Sequence, residues 1–442
     1  VAMERDRAAG AVEAQYKRAR IGIQSLTREY YRHNATAVRC VRELLTASGE
    51  KSIVDLDFII ARAPLDHIAI RSFGTRDLGI DGLRVMFEEL GYVMQEEVMR
   101  FETKRVVARW LAPPRAPDGF PPLPRIFLSE LDVDACDEEL KTIVDAVLGR
   151  TAQGEVRKSQ EEEVGRVARW QLPSAKQYAQ CEKMSEYAAW TLLHGYRVNH
   201  VAVSVFQLMK MYPDTLVRDL DAVEACLASN AATARARWNE TSGKTIVISP
   251  DGLLAQSALM AEPCRIQLYK KSEENKDRYG TKSVEDVYKE YSLPGTYLEF
   301  VVRLPKPEHA NKAFEDLLEE DLRDGFETAN ANVIFDSTGR GGAGAGGAAR
   351  GGEARASEEG RAPASIAKAG YGIHAEDSGS GSGPVDAQVL SDVCKYKHMM
   401  LHRFKNLAGD RGHENAPVEA EGQDEDMQQV NDADGVEVID LT

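Results

Sequence analysis

Short runs of β-branched and aromatic residues alternate with amphipathic stretches through the first three-quarters of the chain. Residues 11–49 place Val12, Tyr16, Ile23, Leu26 and Tyr30 at helical spacing, which predicts helix. Residues 67–73 read as a strand. Residues 80–90 put Leu83, Phe87 and Leu90 on one face and are closed by Gly91, the signature of an amphipathic helix and its stop. Strands are predicted at 92–101, 104–111 and 124–130, with Pro113, Pro114 and Pro117 breaking the chain between the last two. Helices follow at about 134–149 and 176–194. The order then repeats: a strand at 196–206, a helix at 215–228, and strands at 244–249, 253–260 and 296–304, with a charged insertion near 271–292. The pattern predicts an α+β fold of two βαβββ units, at about 65–131 and 196–304. Sequence likeness between the units is confined to His67-Ile68-Ala69-Ile70 and His200-Val201-Ala202-Val203.

From Gly339 the composition changes. Residues 339–383 hold fourteen of the 35 glycines, and a chain of that kind buries no core. The expected layout is therefore a catalytic domain at 1–338, a Gly-rich linker at 339–386, and a tail at 387–442. Residues 387–407 carry a partial apolar stripe that reads as a short helix, and the acidic remainder reads as disordered. The formal charge of the whole chain is -16. Residues 410–442, with eleven acidic side chains and Arg411, supply -10 of it, which leaves -6 on the body. That balance argues against a nucleic-acid-binding surface.

The six cysteines form no CxxC pair and suggest neither a disulfide framework nor a zinc site, so a reducing compartment is expected. No apolar run approaches the roughly 20 residues that span a bilayer, and no membrane association is expected. The chain starts at Val1, which leaves room for an upstream targeting peptide. Its first residues read as neither a signal nor a transit peptide, and the address stays open between plastid and cytoplasm.

Three polar residues stand alone in apolar strands: His67, His200 and Glu299. A buried His or Glu is costly unless something pairs with it. Two His and one carboxylate, each on its own strand, match the facial triad of non-haem Fe(II) oxygenases. Such a centre keeps three open positions, enough for a 2-oxo acid bound through its carboxylate and keto oxygen and for O2. On a strand, alternate residues share a face, so Arg71 lies on the face of His67 with the small Ala69 between them. Its guanidinium suits a substrate carboxylate. Gln256 and Ser257 are further candidates for lining the cavity. Tyr297 shares the face of Glu299 and reads as core. His194 reads as a helix-end residue. His398 and His402 have metal-capable spacing but lack the Glu of a HExxH motif.

With those residues placed, the chain resembles the 2-oxoadipate dioxygenase/decarboxylase family, the 2-hydroxyglutarate synthases, and looks closest to its plant and algal branch. The likeness spans roughly residues 15–338. It is carried by the segments at 66–73, 198–202, 253–257, 295–300 and 323–332, the last reading Arg-Asp-Gly-Phe-Glu-Thr-Ala-Asn-Ala-Asn. The resemblance implies a vicinal-oxygen-chelate fold of paired βαβββ units around one metal. It implies Fe(II) held by His67, His200 and Glu299, and Arg71 on the substrate. It implies conversion of 2-oxoadipate and O2 to 2-hydroxyglutarate and CO2, late in lysine breakdown. The chain departs from the family in its low-complexity C-terminal region, its charged 271–292 stretch, and Ala258, where a second hydroxyl beside Ser257 is expected.

Two other readings stand beside this one. A glyoxalase-like isomerase of the same fold needs a second carboxylate or another metal and consumes no O2. A non-catalytic regulatory protein would act through its tail, where Val438-Ile439-Asp440-Leu441-Thr442, after acidic residues, resembles a SUMO-interacting motif.

Overall fold

A computed structural model describes residues 2–337 apart from 52, 54, 76–77, 150–169, 171, 242 and 270–287. The Gly-rich linker, the helix read at 387–407 and the acidic tail lie outside the described residues. Three helices lead in: α1 (Ala2–Arg32), α2 (Ala35–Ala47) and α3 (Leu56–Arg62). The long helix expected at 11–49 is broken between α1 and α2, where the Asn34 side chain accepts from the Ala37 N–H and starts a new helix.

The first βαβββ unit contains β1 (Leu65–Phe73), α4 (Ile80–Glu89), β2 (Val93–Met94), β3 (Met99–Phe101), β4 (Val106–Ala112) and β5 (Arg125–Leu131). The strand expected at 92–101 is two short pieces, each paired separately with β4. Helices α5 (Glu138–Gly149), α6 (Ala175–Met184) and α7 (Glu186–His194) follow. The single helix expected at 176–194 is split at Ser185, which ends α6 in an extended conformation and caps α7 by accepting from the Ala188 N–H.

The second unit contains β6 (Val198–Ser204), α8 (Val205–Met211), α9 (Leu220–Ser229), β7 (Ile246–Ile248), β8 (Leu254–Ala258), β9 (Pro263–Tyr269), β10 (Tyr288–Pro294) and β11 (Tyr297–Arg303). Helix α8 was not expected. The apolar run of β6 continues into it without a change of composition, and the turn from strand to helix is made by the Ser204 side chain, which accepts from the Gln207 N–H. Strands β9 and β10 form a separate hairpin flanking the charged insertion. The final helix is α10 (Thr328–Ser337).

Among the described residues, nine strands form one sheet in the order β2-β4-β5-β1-β6-β11-β8-β7, with β3 also paired to β4. Read from the centre outward, the halves match: β1, β5, β4, β2 on one side and β6, β11, β8, β7 on the other. In each half the first strand pairs parallel with the last of the unit, and the remaining pairs are antiparallel. The seam is the antiparallel pairing of β1 with β6. Both seam strands are buried along their whole length, as expected where a sheet is covered on both faces. Helix α4 packs on β4 and β5, and α9 packs on β8 and β11. Helix α10 touches β3 in one half and β7 and β8 in the other, so the sheet curls toward it from both ends.

Candidate metal centre

The seam brings the predicted donors together. Strand β1 carries His67, β6 carries His200 and β11 carries Glu299. His67 lies opposite Ala202 across the antiparallel pair, and Ala202 lies opposite Glu299 across the parallel one. Only a methyl group separates the two levels. His67 Nε2 is 3.2 Å from His200 Nε2, and Glu299 Oε2 is 3.8 Å and 3.4 Å from these nitrogens. All three residues are buried. One ligand atom from each lies within 4.8 Å of the others, the one such group among the described residues.

Each donor has a second polar atom tied down. His67 Nδ1 is 2.8 Å from Asp66 Oδ1, and His200 Nδ1 is 3.1 Å from Asn199 Oδ1. These oxygens accept, so each Nδ1 carries its proton and each Nε2 faces the centre. Asp66 is gripped from behind by Arg303, whose Nε and Nη2 donate to the two carboxylate oxygens at 2.7 and 3.0 Å. Arg125 stands 3.7 Å from the same carboxylate. Burial alone pushes Asp66 up. The Arg303 charge, the hydrogen bonds from His67 and Arg303, and Arg125 together hold it well below the usual carboxylate range. Glu299 Oε1 accepts from Gln256 Nε2 at 2.6 Å, which turns Oε2 toward the imidazoles. Tyr297 stacks on the His200 ring with centroids 4.4 Å apart, so the residue read as core also walls the site.

The donor set fits a divalent cation. Burial pushes His200 well below the ordinary histidine value, with smaller contributions from its neighbours His67 and Arg71, so its Nε2 presents a lone pair. A second imidazole whose Nδ1 proton is already committed cannot meet that lone pair with its own. A positive centre between them can. Burial also raises Glu299, partly offset by His67 and by the Gln256 hydrogen bond. A cation at its free oxygen removes that penalty.

The pocket beside the donors is lined by Phe127, Gln256, Tyr297 and Phe326, and by Ala331 and Ile334 of α10. Gln256 therefore reaches the site. Ser257 does not line it: it lies opposite Phe300, on the face away from Glu299, and its buried Oγ has no hydrogen-bond partner among the described residues. Arg71 is buried on β1, with its guanidinium carbon 4.9 Å and 5.1 Å from the ring centroids of Tyr187 and Trp190 on α7. It lies along the strand from His67, not among the residues lining the pocket. His194, read as a helix-end residue, is buried at the end of α7 with Nε2 3.2 Å from the Pro294 carbonyl. Burial and the Arg197 charge push it down to about 3.

Asp66, Asn199, Arg125, Arg303 and Asn330 were not singled out as functional from the sequence. For two of them a cue was present: Asp66 and Asn199 precede the matching histidines of the two units, each a short polar residue able to reach its neighbour's Nδ1. At the third donor the halves differ. Ala69 pairs with Phe127 as Ala202 pairs with Glu299, so Phe127 occupies the position equivalent to the carboxylate.

A curled sheet of paired βαβββ units with two imidazoles and one carboxylate converging at its seam defines a class of metal-centre scaffold. A family model for 2-oxoadipate dioxygenase/decarboxylase matches residues 23–293, and the chain belongs to that family. It is 33% identical over 279 residues to the chloroplastic 2-oxoadipate dioxygenase/decarboxylase of Arabidopsis thaliana, covering 62% of this chain and 67% of that protein. The chloroplastic/amyloplastic protein of that name from Oryza sativa subsp. japonica is 31% identical over 279 residues, covering 62% of this chain and 68% of its own. The crystal structure of a hydroxyglutarate synthase from Oryza sativa in complex with 2-oxoadipate superposes with a TM-score of 0.59 at 27% identity, over 75% of this chain and 94% of that one.

Proposed function

We propose that this chain is a non-haem Fe(II) dioxygenase that converts 2-oxoadipate and O2 to 2-hydroxyglutarate and CO2. The observation that carries the reading is the convergence of His67 Nε2, His200 Nε2 and a Glu299 oxygen within 4.8 Å in a buried pocket. The reaction balances as written: both oxygens of O2 are retained, one in the new carboxylate and one in the new hydroxyl, and the original carboxylate leaves as CO2. Held between these donors, an iron would supply Lewis acidity and a redox centre through which the substrate's electrons reach O2.

The protein's part is arrangement. Asp66 and Asn199 hold the two imidazoles in the tautomer that offers Nε2. Gln256 leaves one Glu299 oxygen free. The Phe127, Tyr297 and Phe326 rings exclude water beside the centre. Arg71, beside the Tyr187 and Trp190 rings, is the cation we assign to the substrate's distal carboxylate. Phe127 at the place equivalent to Glu299 supplies no second carboxylate, which leaves the isomerase reading dependent on another metal.

The test is anaerobic loading with Fe(II), followed by O2 uptake and CO2 release on 2-oxoglutarate, 2-oxoadipate and 2-oxopimelate. One O2 consumed and one CO2 released per substrate, fastest with 2-oxoadipate, is expected. Turnover without O2 consumption sinks the proposal in favour of an isomerase.

The chloroplastic names of the plant relatives support a plastid address. We also propose that catalysis is confined to residues 1–338 and that Val438–Thr442 binds SUMO by adding a strand to its sheet edge. Truncation after Thr338 is then expected to keep turnover and melting behaviour and to remove SUMO binding in a pull-down. Loss of turnover would place the tail in the catalytic unit, and a full chain that fails to bind millimolar SUMO ends the second idea.

A further inference from the structure

Two of the three donors are tied, through other side chains, to one short piece of chain. Asn330 on α10 is buried and donates from Nδ2 to Gln256 Oε1 at 3.0 Å. Gln256 in turn donates to Glu299 at 2.6 Å. The direction of this relay is dictated at its far end. An ionised carboxylate only accepts, so Gln256 presents its NH2 group there, turns its carbonyl outward, and needs a donor. Asn330 is that donor. Toward the other half, the Arg323 and Gly325 carbonyls accept from Arg303 Nη1 at 3.1 and 2.7 Å. Arg303 grips Asp66, and Asp66 holds the His67 ring. Gly325 adopts φ +69°, a left-handed conformation, and a Cβ there would stand 3.0 Å from Glu97 Oε2. Between the two ties, the Phe326 ring packs edge-on against His67 with centroids 4.9 Å apart.

We infer that the segment from Arg323 to Asn330 is a positioning element of the metal centre: Asn330 sets the free oxygen of Glu299 through Gln256, and the Arg323 and Gly325 carbonyls set His67 through Arg303 and Asp66. Asn330 and Arg303 are positioning residues that act only through others. The inference rests on the metal-centre reading above. It adds that one segment pre-arranges donors from both halves of the sheet, so that the cation meets oriented ligands.

Co(II) is the probe, because its absorption bands report ligand geometry and its binding needs no turnover. Under anaerobic conditions, the parent chain, Asn330→Ala and Asn330→Asp are titrated with Co(II), and each apo protein is melted. Loss of such outer hydrogen bonds is expected to weaken Co(II) binding about ten- to a hundred-fold and to shift its bands. Asn330→Asp should be the worse of the two: it nearly matches Asn in shape but cannot donate, so it draws the Gln256 NH2 group toward itself and sets the Gln256 carbonyl against Glu299. If the Asn330 variants do not fold, Arg303→Lys tests the other tie, keeping the charge and losing the fork, with the same expected shift. A merely structural role lowers apo and Co(II)-bound melting alike and leaves parent-like affinity and bands in the folded protein, and that result overturns the inference. A parent chain that binds no Co(II) overturns the metal-centre reading itself, and this inference with it.

Discussion

His67→Ala, His200→Ala and Glu299→Ala are each expected to lose bound Fe(II) and turnover while the protein stays folded. The usual rule is that deleting one member of a buried polar group is destabilising, by about 3–5 kcal/mol for a buried ion pair. Here the group is frustrated without a cation. Two imidazole nitrogens face each other at 3.2 Å, and a buried carboxylate stands beside them. Burial works against the charged form of both His200 and Glu299. Removing any one of the three relieves part of that conflict, so the apo variants should melt at or slightly above the apo parent. The parent alone should gain stability from metal, by about 2.7 kcal/mol at a free concentration a hundred times Kd. Melting curves with and without anaerobic Fe(II), together with metal analysis after gel filtration, check both points. All three variants retaining a full equivalent of iron would remove the triad from the centre.

What could be read from the sequence follows from where the information lies. The apolar, β-branched character of 67–73, 196–206 and 296–304 is a local property, and the lone polar residues His67, His200 and Glu299 stood out against it. The face shared by His67 and Arg71 follows from parity alone. The partners of the donors could not be read in that way. Asp66 meets Arg303 across 237 residues, and Asn330 meets Gln256 across 74, because sheet order and register place them together. Nothing in the neighbourhood of Arg303 distinguishes it from a strand-end cation in solvent. Parity does separate Gln256 from Ser257 once one of them is anchored, but the sequence does not say which. Register answers that: Gln256 lies opposite Val301, which shares the Glu299 face, and Ser257 lies opposite Phe300. The unexpected α8 and the split at Ser185 have a common cause. In both places one Ser side chain redirects the backbone, at Ser204 within an unbroken apolar run and at Ser185 between the polar α6 and the apolar α7.

Arg303 and Arg71 lie toward opposite ends of the site. Glu299 and Arg303 are four residues apart on β11, as His67 and Arg71 are on β1, and these strands run in opposite directions through their shared neighbour β6. Arg303 is consumed by Asp66 and by two backbone carbonyls. Its charge is therefore spent on holding His67. Arg71 lies at the other end, where α7 covers the sheet, and reading the substrate's distal carboxylate is the role we propose for it.

Arg71→Ala and Arg71→Lys are expected to bind iron and to lose about 1.5–3 kcal/mol of transition-state stabilisation toward 2-oxoadipate, roughly ten- to a hundred-and-fifty-fold in kcat/KM. Arg71 is four residues from His67, roughly 13 Å along the strand between α-carbons, and its long side chain can present the guanidinium part of the way back. The Tyr187 and Trp190 rings lie 4.9 and 5.1 Å from the guanidinium carbon. Rings at that distance shield the guanidinium from water and limit its motion, so less order remains to be imposed when a carboxylate arrives. A planar fork packed against aromatic rings can offer a carboxylate two parallel hydrogen bonds. An ammonium group keeps the charge but neither the plane nor the pairing, so Lys should fail nearly as badly as Ala. The discriminating measurement is the substrate series. With 2-oxohexanoate, which keeps the chelating end and lacks the distal carboxylate, the parent should be slow and Arg71→Ala should lose little more. The diacid preference should therefore collapse, with the loss divided between KM and kcat according to whether the contact is already made in the bound substrate. Arg71 also adds to the causes that hold His200 low, after burial and His67. Iron affinity should accordingly be measured across pH for each variant. Equal losses on diacid and monoacid, or a loss that follows iron occupancy, would mean that Arg71 organises the centre and does not read the second carboxylate.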